Sequence, residues 1–156
     1  MSDDGTLYVY LPFDDRFVRK YSAIFHRYMN KECFMKDLER LEPSKDEEYL
    51  FFSGKKVQGK GDFDFEYNKK HYKVTCMMTV TVKKTYNELW NVCTPISQRM
   101  QGYLGKLLDF YESEMKKKTR LYVDLDKPYL LEVYKKFGFI KKAKPNKYGY
   151  IMEKNI

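Results

Sequence analysis

Hydrophobic and polar residues along the chain follow two periods, and together they predict a protein of mixed α and β structure. Alternation or short β-rich runs predict strands at 6–11, 48–52, 62–67, 71–83, 88–94, 121–125, 139–143 and 148–153. Apolar residues at helical spacing predict helices at 17–29, 34–41, 103–115 and 128–137. Strands followed by helices that must pack back on them predict a mixed α+β sheet with helices on both faces.

The segment 62–67 alternates acidic and aromatic residues without exception. The acids are Asp62, Asp64 and Glu66, and Phe or Tyr occupies each intervening and following position. This pattern predicts a half-buried strand whose acids face solvent. The turn signal at 68–70 then predicts an antiparallel hairpin with the Val- and Thr-rich run at 71–83.

The stretch 98–108 joins the strand at 88–94 to an amphipathic helix through a glycine-containing turn. Free backbone N–H groups at a helix start point outward, and the helix dipole favours negative charge there. Arg99 adds a cation suited to phosphate. The stretch predicts an anion site, although a plain helix start with the loop glycines Gly102 and Gly105 explains the pattern as well.

Composition narrows the class of protein. The chain has 156 residues, which favours one domain over 1–156, and a net charge of +8, which favours an anionic partner. Cys33, Cys76 and Cys93 are odd in number and lack C-x-x-C spacing, so we expect a reducing compartment without a disulfide framework or structural zinc. His26 and His71 have no metal-ligand companions nearby. Without a targeting segment or membrane-length apolar run, we expect a cytoplasmic protein that does not enter a membrane.

Three segments carry a resemblance to a known family. Arg99-Met100-Gln101-Gly102-Tyr103-Leu104-Gly105-Lys106-Leu107-Leu108 resembles the acetyl-CoA signature of the GCN5-related N-acetyltransferase (GNAT) superfamily. The segment 131–139 resembles the family's helix end, and 150–154 resembles its closing strand. The resemblance is specific from about residue 88 onward, and the first half matches in element order alone. Leu104 and Lys127 depart from the family pattern, which usually has a small residue and an asparagine there.

The resemblance implies the acyl-CoA N-acyltransferase fold, with a central, mostly antiparallel twisted sheet of about seven strands and helices on both faces. It also implies acetyl-CoA as cosubstrate. The pyrophosphate would lie on backbone amides at the start of the helix, and the pantetheine arm would pair with the preceding strand where that strand separates from the strand at 121–125. The implied cofactor-binding residues are Val92, Cys93, Thr94, Arg99, Met100, Gln101, Gly102, Tyr103, Leu104, Gly105 and Lys106.

The implied reaction is direct attack of a primary amine on the thioester, which needs a base for the amine and an acid for the departing thiolate. Tyr134 matches the family's usual acid, and Glu88 is the candidate base, with Asp124 as second choice. Each has a plainer interpretation, a core tyrosine or an exposed strand-end acid. Trp90 is either a wall of the acceptor pocket or a core residue, and Cys93 is an acyl-carrying nucleophile or, more simply, an inert thiol.

Several functions stay open at this point. The acceptor of an N-acetyltransferase would be a small molecule such as an amino sugar, possibly nucleotide-linked, or a polyamine. A protein or peptide N-acetyltransferase is an alternative. Another is a non-catalytic basic module that binds acyl-CoA or nucleic acid, although no nucleic-acid motif supports the latter. Homodimers are common in the family, so a dimer is compatible with the sequence.

Overall fold

The computed structural model describes residues 5–12, 47–58, 61–94, 99–142 and 144–155. The helices predicted at 17–29 and 34–41 lie outside these ranges. The strands are β1 Thr6–Pro12, β2 Glu47–Lys56, β3 Phe65–Tyr67, β4 Lys70–Val82, β5 Asn87–Cys93, β6 Thr119–Val123, β7 Ile140–Lys141 and β8 Tyr150–Lys154, and the helices are α1 Tyr103–Glu114 and α2 Tyr129–Lys135. Every strand and both helices predicted in the described ranges are therefore present.

One sheet contains all eight described strands, in the order β1-β2-β4-β5-β6-β8-β7, with β3 paired to β4. Every pairing is antiparallel except that of β5 with β6, which is parallel. A parallel pair needs a crossover connection, and α1 provides it. The mostly antiparallel mixed sheet is thus confirmed, and its eight described strands are those that the periodicity predicts, one more than the seven or so that the resemblance implies.

The main core lies between the sheet and the two described helices. Helix α1 points Leu107, Leu108 and Tyr111 at the sheet, which is the i, i+1, i+4 spacing of one helical face. Its partners on the sheet include Met78, Val80, Leu121 and Met152, all inaccessible or nearly so. The opposite face is also buried at Leu50, Phe52 and Met77. Burial on both faces is what a sheet covered on two sides requires.

A buried polar network ties the C-terminal half of α1 to the first residues of β5 and β6. The Tyr111 hydroxyl lies 2.7 Å from Thr119 Oγ1 and accepts a hydrogen bond from Asn87 Nδ2 at 3.1 Å. Thr119 Oγ1 also donates to the carbonyl oxygen of Lys117 at 2.9 Å. Since burial makes each of these bonds costly to lose, the network holds α1 in one position on the sheet.

The predicted alternation of segment 62–67 is wrong at two positions. Asp64 is buried, and its Oδ2 accepts the backbone N–H of Val74 at 2.8 Å. Phe63 is exposed instead, with its ring stacked on His71 at a centroid distance of 3.8 Å. The strand begins only at Phe65, so the carboxylate of Asp64 takes the place of a strand carbonyl beside β4. Neither described helix has the length and hydropathy needed to cross a membrane.

Candidate functional site

Strands β5 and β6 form a fork. Their parallel pairing runs from Asn87 and Thr119 only as far as Leu89 and Leu121. Both strands then continue, β5 to Cys93 and β6 to Val123, without pairing to each other. Beyond Leu89, the edge of β5 that no longer pairs with β6 has backbone donors and acceptors that an extended ligand could pair with. This separation is the one expected from the sequence resemblance.

An irregularity in β5 coincides with the fork. Met77 pairs with Cys93 while Thr79 pairs with Trp90, so β5 uses one residue more than β4 over this interval. The extra residue makes a β-bulge, which redirects the side chains that follow it. As a result Val92 packs against the main core, while Cys93 is buried on the opposite face.

Both interpretations of Cys93 as a thiol, reactive or inert, are wrong. Cys93 is disulfide-bonded, whereas Cys76 carries a free, buried thiol. Cys93 therefore has no thiol to serve as an acyl-carrying nucleophile in this state. Odd cysteine number and spacing could not reveal the bond, because pairing depends on which strand positions the fold brings together.

The turn before α1 exposes the first amides of the helix. Gly102 precedes the helix with a φ of 79°, and Met100 has a φ of 67°. The first intrahelical bond runs from Lys106 N to Gly102 O at 3.2 Å. The amides of the first turn precede that bond, the N-cap residue Gly102 supplies no side-chain cap, and the first turn contains no acid. Such an end carries partial positive charge and suits an anion.

The two glycines of this stretch serve different purposes. A Cβ on Gly102 would meet nothing within 4 Å, so the positive φ is what calls for glycine there. A Cβ on Gly105 would lie 3.0 Å from Cε1 of Phe137, so Gly105 allows α1 to approach that ring. Leu104, where the family usually has a small residue, is half-buried and packs against the core.

The other predicted phosphate-binding residues surround this helix start. Met100, Gln101 and Lys106 are exposed, while the side chain of Tyr103 is buried in the core, which leaves only its backbone for a ligand. The Nε of Arg99 donates to the carbonyl oxygen of Thr94 at 3.0 Å. The guanidinium thus connects the turn directly to the end of β5.

Tyr134 projects from α2 into the main core. Its ring meets Phe139 edge-on at a centroid distance of 6.0 Å. Burial, with a smaller contribution from nearby Cys76, raises the pKa of the Tyr134 hydroxyl far above its ordinary value. Burial likewise raises the pKa of the Cys76 thiol to about 11, although Thr94 Oγ1 lies 3.4 Å from its sulfur and lowers it in part. Both groups therefore hold their protons at neutral pH.

Glu88 lies on the face of the sheet opposite α1, just before the fork. Only 7% of it is exposed, and its Oε2 accepts a hydrogen bond from the hydroxyl of Tyr122 at 2.6 Å. Lys83 Nζ lies 3.9 Å from the other carboxylate oxygen. Asp124, the second choice for a base, is largely exposed and pairs with Lys127 at 3.7 Å. Of the two acids, Glu88 alone is both buried and hydrogen-bonded next to the fork.

Known structures share this arrangement of strands and helices. The sequence itself matches no protein-family model and no curated protein. An acyl-CoA N-acyltransferase from Pseudomonas aeruginosa is similar over 96% of this chain and 99% of its own, with a TM-score of 0.63 and 9% identity. Tetrahymena GCN5 is similar over 94% of both chains, with a TM-score of 0.55 and 15% identity. The chain has the GCN5-related N-acetyltransferase fold.

A third similar structure has a ligand in its description. The PaiA N-acetyltransferase of Thermoplasma acidophilum, solved in complex with coenzyme A, is 20% identical and has a TM-score of 0.51. That similarity covers 69% of this chain and 61% of the other, so the chain spans about three fifths of that protein.

The acetyltransferase fold brings most of the predicted site together, but two residues beside it were missed. Tyr122 stacks on Trp90 with centroids 4.9 Å apart, and Tyr148 meets Trp90 edge-on at 5.4 Å. Alternation within β6 does place Tyr122 on the face opposite Leu121, but its position beside Glu88 depends on the register with β5. Among the described residues, no group of three His, Cys, Asp or Glu side chains is arranged to hold a metal.

Proposed function

We propose that the protein is an acetyl-CoA-dependent N-acetyltransferase that acts on a primary amine of a small molecule. The observation that carries this proposal is the fork of β5 and β6 beside the uncapped start of α1, within the acetyltransferase fold. An extended strand edge and a helix start together suit a ligand with an amide-containing arm and a diphosphate. Solved proteins of the same fold are named N-acetyltransferases, and one was solved with coenzyme A.

The residues at the helix start fit the diphosphate. The left-handed conformation at Gly102 ends the turn that precedes α1 and leaves the first amides of the helix pointing outward. Backbone amides at Met100, Gln101, Gly102, Leu104 and Gly105 would hold the phosphate oxygens, with the cations of Arg99 and Lys106 nearby. The pantetheine arm would pair along Val92, Cys93 and Thr94, beyond the point where β5 stops pairing with β6.

When bound, acetyl-CoA would supply an activated acetyl carbonyl for the amine to attack. Tyr134 would provide the acid: its raised pKa keeps the hydroxyl protonated, so it has a proton to give to a departing thiolate. Glu88 would provide the base, because it is buried next to the fork and its Oε2 is held there by the hydrogen bond from Tyr122. Neither residue needs a metal for this chemistry.

A thermal-shift measurement with acetyl-CoA tests the proposal. A ligand at a hundred times its dissociation constant stabilises a protein by about 2.7 kcal/mol. For a chain of this length we expect a rise in Tm of about 5–10 °C. Arg99→Glu and Gly102→Pro should abolish most of the rise. Lys116→Glu, the same charge change at an exposed position beyond the far end of α1, should retain it.

Turnover is the second part of the test. Release of thiol from acetyl-CoA would be followed with amino sugars, polyamines, arylalkylamines and peptides as acceptors. Activity on a small amine would support the proposal, and activity confined to peptides would change the acceptor class. No thermal shift at saturating acetyl-CoA would contradict the proposed cofactor, and nucleic-acid titrations would follow because of the +8 charge.

A further inference from the structure

Three aromatic side chains lie together at the fork, on the face opposite α1. Trp90 and Tyr122 are the first residues beyond the last paired couple of β5 and β6, and their rings stack at 30°. Tyr148 meets both, at centroid distances of 5.4 Å from each ring. We call these three residues the fork cluster. Trp90 and Tyr122 are half-buried and Tyr148 is 47% exposed, so the cluster presents aromatic surface to the outside.

The carboxylate of Glu88 lies at the base of the fork cluster. Glu88 precedes Trp90 by two residues on the same face of β5, and Tyr122 holds its Oε2 through the 2.6 Å hydrogen bond. Burial, and then this bond to Glu88, raise the pKa of Tyr122 to about 12, so the hydroxyl remains a donor. Tyr122 is therefore a positioning residue that fixes the direction of the Glu88 carboxylate toward the fork.

Positive groups lie beside Glu88 and the fork cluster and limit the charge of any ligand. Lys83 lies 3.9 Å from Glu88, and Lys147 Nζ lies 4.9 Å from the ring centroid of Tyr148. Arg120 follows on the same face of β6, where its guanidinium is bound to Glu153 at 2.8 Å. Because Glu153 neutralises Arg120, Lys83 and Lys147 are the cations that act on a ligand beside Glu88. Glu88 can pair with one ammonium group, and the two lysines would repel the further ammonium groups of a polyamine.

We propose that the fork cluster is the acceptor site and that it takes a primary amine with one positive charge carried on an apolar or aromatic body. Aromatic faces attract an ammonium and stack on an apolar body. Among the described residues of the cluster, the phenol of Tyr122 already donates to Glu88, so this hydrogen bond is not offered to the hydroxyls of an amino sugar. The inference rests on the proposed function, since it names the acceptor of that same site.

The chain offers a direct probe, because Trp90 is its only tryptophan. Intrinsic fluorescence of the full chain, titrated without acetyl-CoA, therefore reports on the fork cluster itself. The probe ligands are 2-phenylethylamine, its neutral isostere 2-phenylethanol, spermidine and glucosamine. We expect saturable binding of 2-phenylethylamine, with each of the other three weaker by about tenfold or more.

Variants separate the charge from the aromatic surface. Glu88→Gln should weaken the binding of 2-phenylethylamine by about tenfold and leave the affinity for 2-phenylethanol unchanged. Tyr148→Ala should weaken the binding of both ligands. This variant should still fold, because Tyr148 lies in an exposed turn. Tyr122→Phe should lower kcat more than it changes KM once an acceptor is found, because it releases the Glu88 carboxylate without removing it. Tyr150→Phe, whose ring packs against the main core instead, is the control and should match the wild type.

Three results would overturn the inference. The first is the absence of any saturable change of Trp90 fluorescence with 2-phenylethylamine, and the second is an unchanged dissociation constant in Glu88→Gln. The third is tighter binding of spermidine or glucosamine than of 2-phenylethylamine. Any of these together with a normal acetyl-CoA thermal shift would reject the fork cluster as the acceptor site and leave the proposed function intact. Amine binding without any acetyl-CoA shift would reject the proposed function instead.

Discussion

Replacing Gly102 with alanine tests whether the left-handed turn before α1 directs the first amides of the helix. The new Cβ would meet nothing within 4 Å, so crowding adds no cost. The remaining cost is that of a left-handed backbone in a residue with a Cβ, about 1–2 kcal/mol. The same chain offers a matched control, because Gly5 has a φ of 78° and also has open space around its Cβ position.

Two measurements on both variants decide the question. Urea unfolding should show a loss of about 1–2 kcal/mol for Gly102→Ala and a loss no larger than that for Gly5→Ala, which precedes β1. The rise in Tm with acetyl-CoA should shrink in Gly102→Ala and stay at the wild-type value in Gly5→Ala, because a relaxed turn reorients only the amides of α1. A full acetyl-CoA shift in a destabilised Gly102→Ala would refute the role of the turn, and an equal reduction in both variants would attribute the effect to stability alone.

Three further predictions concern the proposed acid Tyr134, the ion pairs of Glu153, and Gly149. Tyr134→Phe should reduce kcat by about 10²–10⁴ while the acetyl-CoA thermal shift persists, and an unchanged kcat in a thiol-release assay would remove Tyr134 as the acid. Glu153→Gln should lower the free energy of unfolding by about 1.5–3 kcal/mol, since Arg120 donates to that carboxylate at 2.9 Å. Burial opposes ionisation of Glu153, but Arg120 and the neighbouring lysines outweigh this effect and hold the pKa of Glu153 below its ordinary value. The stabilisation is therefore complete above the unfolded-state pKa and is lost as pH falls through the lower folded-state pKa. The free energy of unfolding should fall less steeply with acid in Glu153→Gln than in the wild type, and identical curves would contradict this. Gly149→Ala should lower the free energy of unfolding by about 3 kcal/mol or more, because the new Cβ would lie 2.2 Å from the carbonyl oxygen of Val123. This exceeds the cost of about 1–2 kcal/mol for a left-handed residue alone. A loss in urea unfolding no larger than that of Gly102→Ala would contradict the contact.

The sequence by itself determined the order of elements over the described residues and the position of the candidate anion site. Periodicity is a local property, so the strand at 87–93 and the helix that begins at Tyr103 could be located before any packing was known. The turn chemistry is local too, because a glycine that precedes a helix with positive φ requires only its own backbone conformation. The fork could be expected as well, but only through the resemblance to a family.

Tertiary structure decided which side chains act together. Glu88 and Tyr122 are 34 positions apart, and their hydrogen bond depends on the register of β5 with β6, which no periodicity specifies. Gly105 is needed for its contact with Phe137 across two helices, a reason that its local pattern does not contain. Asp64 is buried because β4 presents an amide to it, although alternation placed it in solvent. Local patterns specify backbone conformation, whereas partners from distant segments are specified only when the sheet and its helices pack.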